Sequence, residues 1–183
     1  RAVVVKDDDL LTKKDIDRNY KEVATAITQE IKIWLDNKCF KIRTLKGAQN
    51  LMTSRYVAKW KYVKQEDGSM KRIIRMRLVL RGFQDTEAFS LDTFAGTAKR
   101  QSQRILASQS ACNPDWIIAS LDIDKAFLHG FTYKELAEAT GEEERVVCFR
   151  LPPGGAALLR KFPGFEQFEE PTQCLQYLKP EVD

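Results

Sequence analysis

Two stretches of alternating residues, separated by an Asp-Gly pair, constrain the fold of this chain more than any other feature. The first places alternate apolar side chains on one side, namely Tyr56, Ala58, Trp60 and Tyr62. The second does the same with Ile74, Met76, Leu78 and Leu80. Successive side chains of a strand point to opposite faces, and Asp67-Gly68 is a turn signal. The pattern therefore predicts a β-hairpin over residues 54–81.

The opposite side of this hairpin is basic. It carries Arg75, Arg77 and Arg81 on the second strand and Lys59 and Lys61 on the first. Residues 55–81 contain nine Lys and Arg against two carboxylates, a net charge of +7 in a chain whose total is +4. A solvated surface accounts for many charged strand faces, but guanidinium forks also match phosphate oxygens. The concentration of cations favours a polyanion as partner.

A second constraining stretch runs from Trp116 to Gly130. Its apolar first part, residues 116–121, predicts a strand buried on both faces that ends at Asp122. Asp124 follows on the same side, and Phe127 comes five residues after Asp122. An Asp at a strand end has a structural role in many proteins, whereas one at the exit of a rigid strand can also bind a divalent cation.

Other segments complete a mixed α and β pattern. Residues 1–14 are expected to be weakly ordered, and apolar residues at helical spacing, Tyr20, Val23, Ile27, Ile31 and Trp34, predict an amphipathic helix from Asp15 to about Asn37. Further predicted elements are a helix over Thr97–Cys112, a helix over Tyr133–Ala139 capped by Thr132 and Glu135, and a strand over Val146–Leu151. Residues 156–183 show no clear period.

Composition excludes several classes. The four cysteines are widely spaced, without a C-x-x-C pair, and His129 is the single histidine, which disfavours zinc sites and Ser-His-Asp hydrolases. No apolar run approaches the roughly 20 residues of a membrane span, and no signal peptide is readable. We therefore expect an intracellular protein, cytoplasmic or nuclear, with reduced thiols and no membrane span.

Five segments occur in order between Ser54 and Gly154: SRYVAKWKYV, RMRLVLRGFQ, DTFAGTAKR, LDIDKAFLHG and VCFRLPPG. Their order and spacing resemble the reverse transcriptase of copia-type retrotransposons. The resemblance implies an α+β fold, the fingers and first part of the palm of a right-hand polymerase, with an antiparallel basic hairpin and helices packed on a partial palm sheet. It divides the chain into a lead-in with the amphipathic helix (1–53), a fingers-like hairpin and helix (54–112), the proximal palm (113–155) and an unassigned tail (156–183).

The resemblance also implies roles for single residues. Asp122 would be the first catalytic, metal-binding carboxylate, and the carbonyl of Ile123 would help to hold the second Mg²⁺ or Mn²⁺. Phe127 would be the steric gate against a ribose 2′-hydroxyl. Lys125 and Ala126 would lie beside the incoming triphosphate. Arg75 and Arg77 would hold that triphosphate or the template; Lys59, Lys61 and Arg81 would contact nucleic acid.

The implied partners are an RNA template, a DNA primer, a dNTP and a downstream palm and thumb segment. Three departures stand out: Asp124 replaces a basic or neutral residue, the connection over residues 131–145 is longer, and the later aromatic-x-Asp-Asp segment is not among the 183 residues. We therefore expect an RNA-directed DNA polymerase by ancestry that is inactive as this chain alone. The alternative is a non-enzymatic retroelement derivative acting as a structural or nucleic-acid-binding subunit of a larger assembly. A nuclease or phosphatase using Asp122 and Asp124 is a third hypothesis.

Overall fold

The computed structural model describes residues 9–90, 99–119 and 126–179, with Ser90, Ala126 and Phe127 described by their backbone only. Within these ranges the protein is a mixed α+β structure with five helices and five strands. The helices are α1 Lys13–Arg18, α2 Tyr20–Asp36, α3 Arg100–Cys112, α4 Tyr133–Thr140 and α5 Gly155–Leu159. The strands are β1 Phe40–Thr44, β2 Leu51–Lys64, β3 Met70–Leu80, β4 Val147–Arg150 and β5 Gln173–Tyr177. No helix in the described ranges has the length and apolar character that crossing a membrane requires.

The five strands form one mixed sheet in the order β1-β5-β4-β2-β3. β2 is the long member and has two parts. Its first three residues, 51–53, pair in parallel with β4, and residues 54–64 pair antiparallel with β3. The β2–β3 hairpin therefore extends from the sheet as a two-stranded ribbon of roughly 35 Å, at about 3.3 Å per residue. The predicted hairpin is confirmed, including its buried row at Ile74, Met76, Leu78 and Leu80.

Helix α2 packs on β3 and confirms the predicted amphipathic helix. It buries Val23, Ala26, Ile31 and Trp34, whereas Tyr20, which the spacing placed on the same stripe, is 63% exposed. The helical region is interrupted at Asn19, so that α1 is a separate short helix. The expectation of weak order through residue 14 is wrong at its C-terminal end, because Thr12 and Asp15 form a capping box.

The main core lies between α2, the body of the sheet and the C-terminal segment. Its centre is aromatic: the rings of Phe40, Phe149 and Tyr177 surround Trp34 at centroid distances of 5.5 to 6.3 Å. The segment that showed no period in the sequence contributes α5, β5 and the buried Leu159 and Phe168. This segment is therefore integral to the sheet.

The predicted strand before Asp122 is wrong for its described part. Residues 116–119 form no strand, and the exposed fraction of the side chain reaches 92% at Ile117. Strand propensity takes effect only where a neighbouring strand supplies backbone partners, and residues 116–119 pair with none of the five described strands. Helix α4 with its capping box and strand β4 are confirmed, and α3 is confirmed from Arg100 onward.

Candidate nucleic-acid interface

The geometry of the hairpin is fixed at its tip by a five-residue turn. Gln65 donates its backbone N–H to the Ser69 carbonyl at 2.8 Å, and Gly68 adopts φ +83°, a conformation that favours glycine. The Asp67 carboxylate accepts hydrogen bonds from the hydroxyl and backbone N–H of Ser69, and these bonds lower the pKa of Asp67. The closed turn specifies one register for the two strands.

That register brings the predicted cations together. Lys59 lies directly opposite Arg75, and Val57 lies opposite Arg77, with Lys61 one step further along the same face. They border a shallow groove of about 210 Å³ lined by Val57, Lys59, Trp60, Lys61, Arg75 and Arg77. Four of the five hairpin cations predicted from the sequence thus share one concave surface, which we call the basic groove.

The basic groove carries uncompensated charge. In residues 9–90, 99–119 and 126–179, the ion pairs involve other side chains, and none joins a carboxylate to a cation of the groove. Like charges directly opposite each other in a sheet are unfavourable, so the pair formed by Lys59 and Arg75 destabilises the isolated hairpin. An anion in the groove would relieve that repulsion, and bidentate guanidinium forks suit phosphate oxygens.

The aromatic side chain at the groove is engaged within the protein. The Arg72 guanidinium lies over the Trp60 ring, 4.0 Å from its centroid. Trp60 also packs against a second, smaller core, which is formed by Val23, Ala26, Ile74 and Met76. Base recognition in single strands uses exposed aromatic rings for stacking. A groove whose aromatic ring is already covered is better suited to phosphates than to bases.

Arg81, the fifth predicted cation, lies elsewhere. It follows the end of β3 at the root of the ribbon, where its backbone N–H donates to the Thr53 carbonyl at 2.9 Å. Its side chain is exposed but does not line the basic groove. Arg81 could therefore contact only a ligand that extends along the ribbon toward the sheet.

Comparison with known proteins gives no assignment. No protein-family model, curated protein or solved structure matches the chain. The geometry of the described residues and the order of the sequence segments therefore carry the functional argument.

The predicted palm residues are described only in part. Asp122, Ile123 and Lys125 lie outside the described residues, and Ala126 and Phe127 begin a short 3-10 helix, Ala126–His129. This helix is anchored at the end of β5, because Leu128 is buried and its carbonyl accepts a hydrogen bond from the Lys179 ammonium group. The chain following the predicted carboxylate is thus tied to the sheet.

The resemblance implies a metal, and the described residues do not supply its ligands. They contain no group of three or more His, Cys, Asp or Glu side chains that could hold an ion. The two implied ligands, Asp122 and the carbonyl of Ile123, fall outside the described ranges. The described residues therefore do not supply the ligands of a two-metal site.

Two polar arrangements at the root of the ribbon were not predicted. The Glu30 carboxylate accepts hydrogen bonds from the Leu78 backbone N–H at 3.1 Å and from the Trp34 indole at 3.2 Å. In the sequence, Glu30 is a single acidic residue beside Ile27 and Ile31 on an apolar helical stripe, and this pattern could have indicated a partly buried carboxylate with a hydrogen-bonding role. Glu30 occupies the outer edge of β3 and so protects that edge from pairing with another strand.

The second arrangement, the Arg145 cluster, comprises Asn50, Asp85, Glu87 and Arg145. The Arg145 guanidinium pairs with the Asp85 carboxylate and donates from Nε to Glu87 at 2.8 Å. Burial raises the pKa of Asp85, but hydrogen bonds from Arg145, the Glu87 N–H and Asn50 outweigh it and leave the pKa below its ordinary value. No sequence signal links Asp85 to Arg145, because they are 60 positions apart.

Proposed function

We propose that the chain is the fingers and proximal palm of an RNA-directed DNA polymerase of the copia retrotransposon type, with the basic groove contacting nucleic-acid phosphates. The observation that supports it is the convergence of Lys59, Lys61, Arg75 and Arg77 on one surface, within two of the five ordered segments of the resemblance. Phosphate binding needs cations without internal carboxylate partners, and these four meet that condition among the described residues.

In this proposal the hairpin and the palm have separate tasks. Arg75 and Arg77 hold phosphates of the template or of the incoming dNTP, and Lys59 and Lys61 extend the same surface. Asp122 and the carbonyl of Ile123 bind Mg²⁺ or Mn²⁺, Phe127 excludes ribonucleotides, and Lys125 and Ala126 adjoin the triphosphate. The metal would stabilise negative charge on the attacking and leaving oxygens during nucleotidyl transfer.

Primer extension on an RNA template with Mg²⁺ and dNTPs tests the enzymatic part. We expect no extension by the 183-residue chain and extension by a longer polypeptide that includes a downstream aromatic-x-Asp-Asp segment. Asp122→Asn should abolish the activity of the longer polypeptide, and Phe127→Ala should admit rNTPs. Extension that survives Asp122→Asn would refute the metal role.

One observation favours a second function, a nucleic-acid-binding subunit without catalysis. Residues 116–119 are outside any strand and Ile117 is largely exposed, whereas a palm would place this segment in a buried strand before the carboxylate. The two functions separate in one comparison: salt-dependent oligonucleotide binding by both polypeptides, with extension by neither, would favour the subunit.

A further inference from the structure

Arg145 ends the long connection over residues 131–145 and joins parts of the protein that are distant in sequence. Its guanidinium meets Asp85 and Glu87 on one side, and its Cζ lies 5.6 Å from the centroid of the Tyr133 ring on the other. Tyr133 in turn donates its backbone N–H to the Leu178 carbonyl at 2.9 Å. The loop after the hairpin is thereby connected through one side chain to α4 and to the end of β5.

The Arg145 cluster also orders the backbone of that loop, residues 82–87. The Thr86 N–H donates to Asn50 Oδ1 at 3.1 Å, and the Glu87 N–H donates to Asp85 Oδ1 at 3.0 Å. Asn50, at φ +48°, immediately precedes β2 and donates from its amide to Asp85 at 2.9 Å. The root of the ribbon and the loop that leaves it are therefore held by a single hydrogen-bonded network.

This network depends on a cation of one particular shape. The Asp85 side chain is 11% exposed and that of Arg145 is 18% exposed, so removal of the guanidinium would leave a nearly buried carboxylate without its cationic partner. A lysine ammonium is a point charge and cannot present the planar fork that meets two carboxylates together. The identity of residue 145, and not only its charge, should therefore matter.

We propose that Arg145 is a positioning residue, which fixes loop 82–87 against α4 and so holds the basic hairpin in the orientation that binds its polyanion. The proposal rests on the phosphate-binding role of the groove. In it, the long connection over residues 131–145 serves to place one guanidinium at the root of the hairpin. The hairpin is attached to the rest of the protein by the pairing of three β2 residues with β4 and by the packing of α2 on β3. The Arg145 cluster adds an attachment at the loop that leaves the hairpin, where neither of these contacts acts. When the hairpin samples other orientations, the competent fraction and the apparent affinity both fall.

Two measurements on the 183-residue chain test this proposal: amide hydrogen exchange at Thr86 and Glu87, and binding of random-sequence duplex DNA as a function of salt. In Arg145→Ala we expect exchange at these amides to accelerate roughly 10- to 100-fold, since hydrogen bonds in a charged network are lost. DNA affinity at fixed salt should fall about fivefold to tenfold with an unchanged salt slope, because the phosphate contacts remain. Arg145→Lys should resemble Arg145→Ala more than the wild type.

The matched control is Lys161→Gln, which removes one exposed positive charge outside the cluster and should change neither measurement. If Arg145→Ala does not fold, Glu87→Gln on the exposed side of the cluster should still accelerate exchange at Thr86. Unchanged exchange in the folded variants would overturn the proposal. A salt slope lower by about 0.9 in Arg145→Ala would also overturn it, since Arg145 would then contact phosphate directly.

Failure of the proposed function gives a different pattern. If the wild-type chain does not bind DNA, the groove has no phosphate-binding role and the link to affinity is refuted. Accelerated exchange in Arg145→Ala would then still support the part of the proposal that concerns the loop. The two failures are therefore distinguishable.

Discussion

Substitution of Lys59 by Gln should affect stability and binding in opposite directions. Lys59 is exposed and lies directly opposite Arg75 in the hairpin, with no carboxylate partner among the described residues. Cross-strand pairs change stability by about 0.2 to 1 kcal/mol, and a pair of like charges does so unfavourably. We therefore expect Lys59→Gln to raise the free energy of unfolding by an amount in that range, measured by urea denaturation at low salt.

The same substitution should weaken nucleic-acid binding. Each cation that neutralises a duplex phosphate contributes about 0.9 to the slope of log affinity against log salt concentration. Loss of Lys59 should lower the slope by about 0.9, and replacement of all four groove cations should lower it by about 3.6. Fluorescence anisotropy with a labelled duplex over a range of salt concentrations measures both slopes.

The control is Lys64→Gln, on the opposite face of the same strand. Lys64 pairs with Met70 and does not line the groove, so its removal alters total charge by the same amount without relieving the Lys59 and Arg75 repulsion. Its effect on the salt slope should be small. A Lys59→Gln variant that is less stable than the wild type would refute the repulsion between Lys59 and Arg75. An unchanged salt slope would refute the assignment of the groove as a phosphate site.

Three further predictions concern the folded structure. The buried hydroxyl of Tyr56 has no hydrogen-bond partner among the described residues, so Tyr56→Phe should raise the free energy of unfolding by about 1 kcal/mol. Burial, with a contribution from Glu30, raises the pKa of Tyr56 from 10.0 to about 12. The wild type should therefore lose stability as the pH rises from 10 to 12, and the Tyr56→Phe variant should lose less. Gly155→Ala should cost about 1 to 3 kcal/mol in urea denaturation, because its Cβ would lie 2.9 Å from Leu151 Cβ and 3.0 Å from the Tyr56 hydroxyl. The Asp85 pKa is lowered, so the stability that this carboxylate contributes is present above its ordinary pKa near 3.8 and is lost as pH falls below it. An Asp85→Asn variant should be less stable by about 1 to 3 kcal/mol at neutral pH, and its melting temperature should fall less steeply than that of the wild type as the pH is lowered. An equally steep fall would contradict this.

The sequence predicted those elements whose determinants are local. The hairpin follows from period-two alternation around Asp67-Gly68, and α4 follows from the reciprocal bonds of Thr132 and Glu135, which act within one turn of helix. Because the register of a two-stranded ribbon fixes which side chains share a face, the basic groove was also predictable. These features need no information about distant parts of the chain.

Features that depend on distant partners were not predictable. β5 shows no alternation of buried and exposed residues, because Cys174, Leu175 and Gln176 are all buried. Its strand conformation depends on its position between β1 and β4. Residues 116–119 have strand propensity without a described neighbour to pair with, and they remain outside the sheet. The Arg145 cluster requires contacts across 60 positions, which no periodicity reports.

The continuity of β2 bears on how this protein can vary over evolution. The strand passes from the sheet body into the ribbon without a break, so deletion of the ribbon would cut β2 back to the three residues that pair with β4. Residues 65–69 at the far end are exposed. Insertions there would lengthen the arm by about 3.3 Å per added residue pair and leave its attachment intact. Natural variants should therefore differ in the length of this arm far more readily than in the position from which it projects.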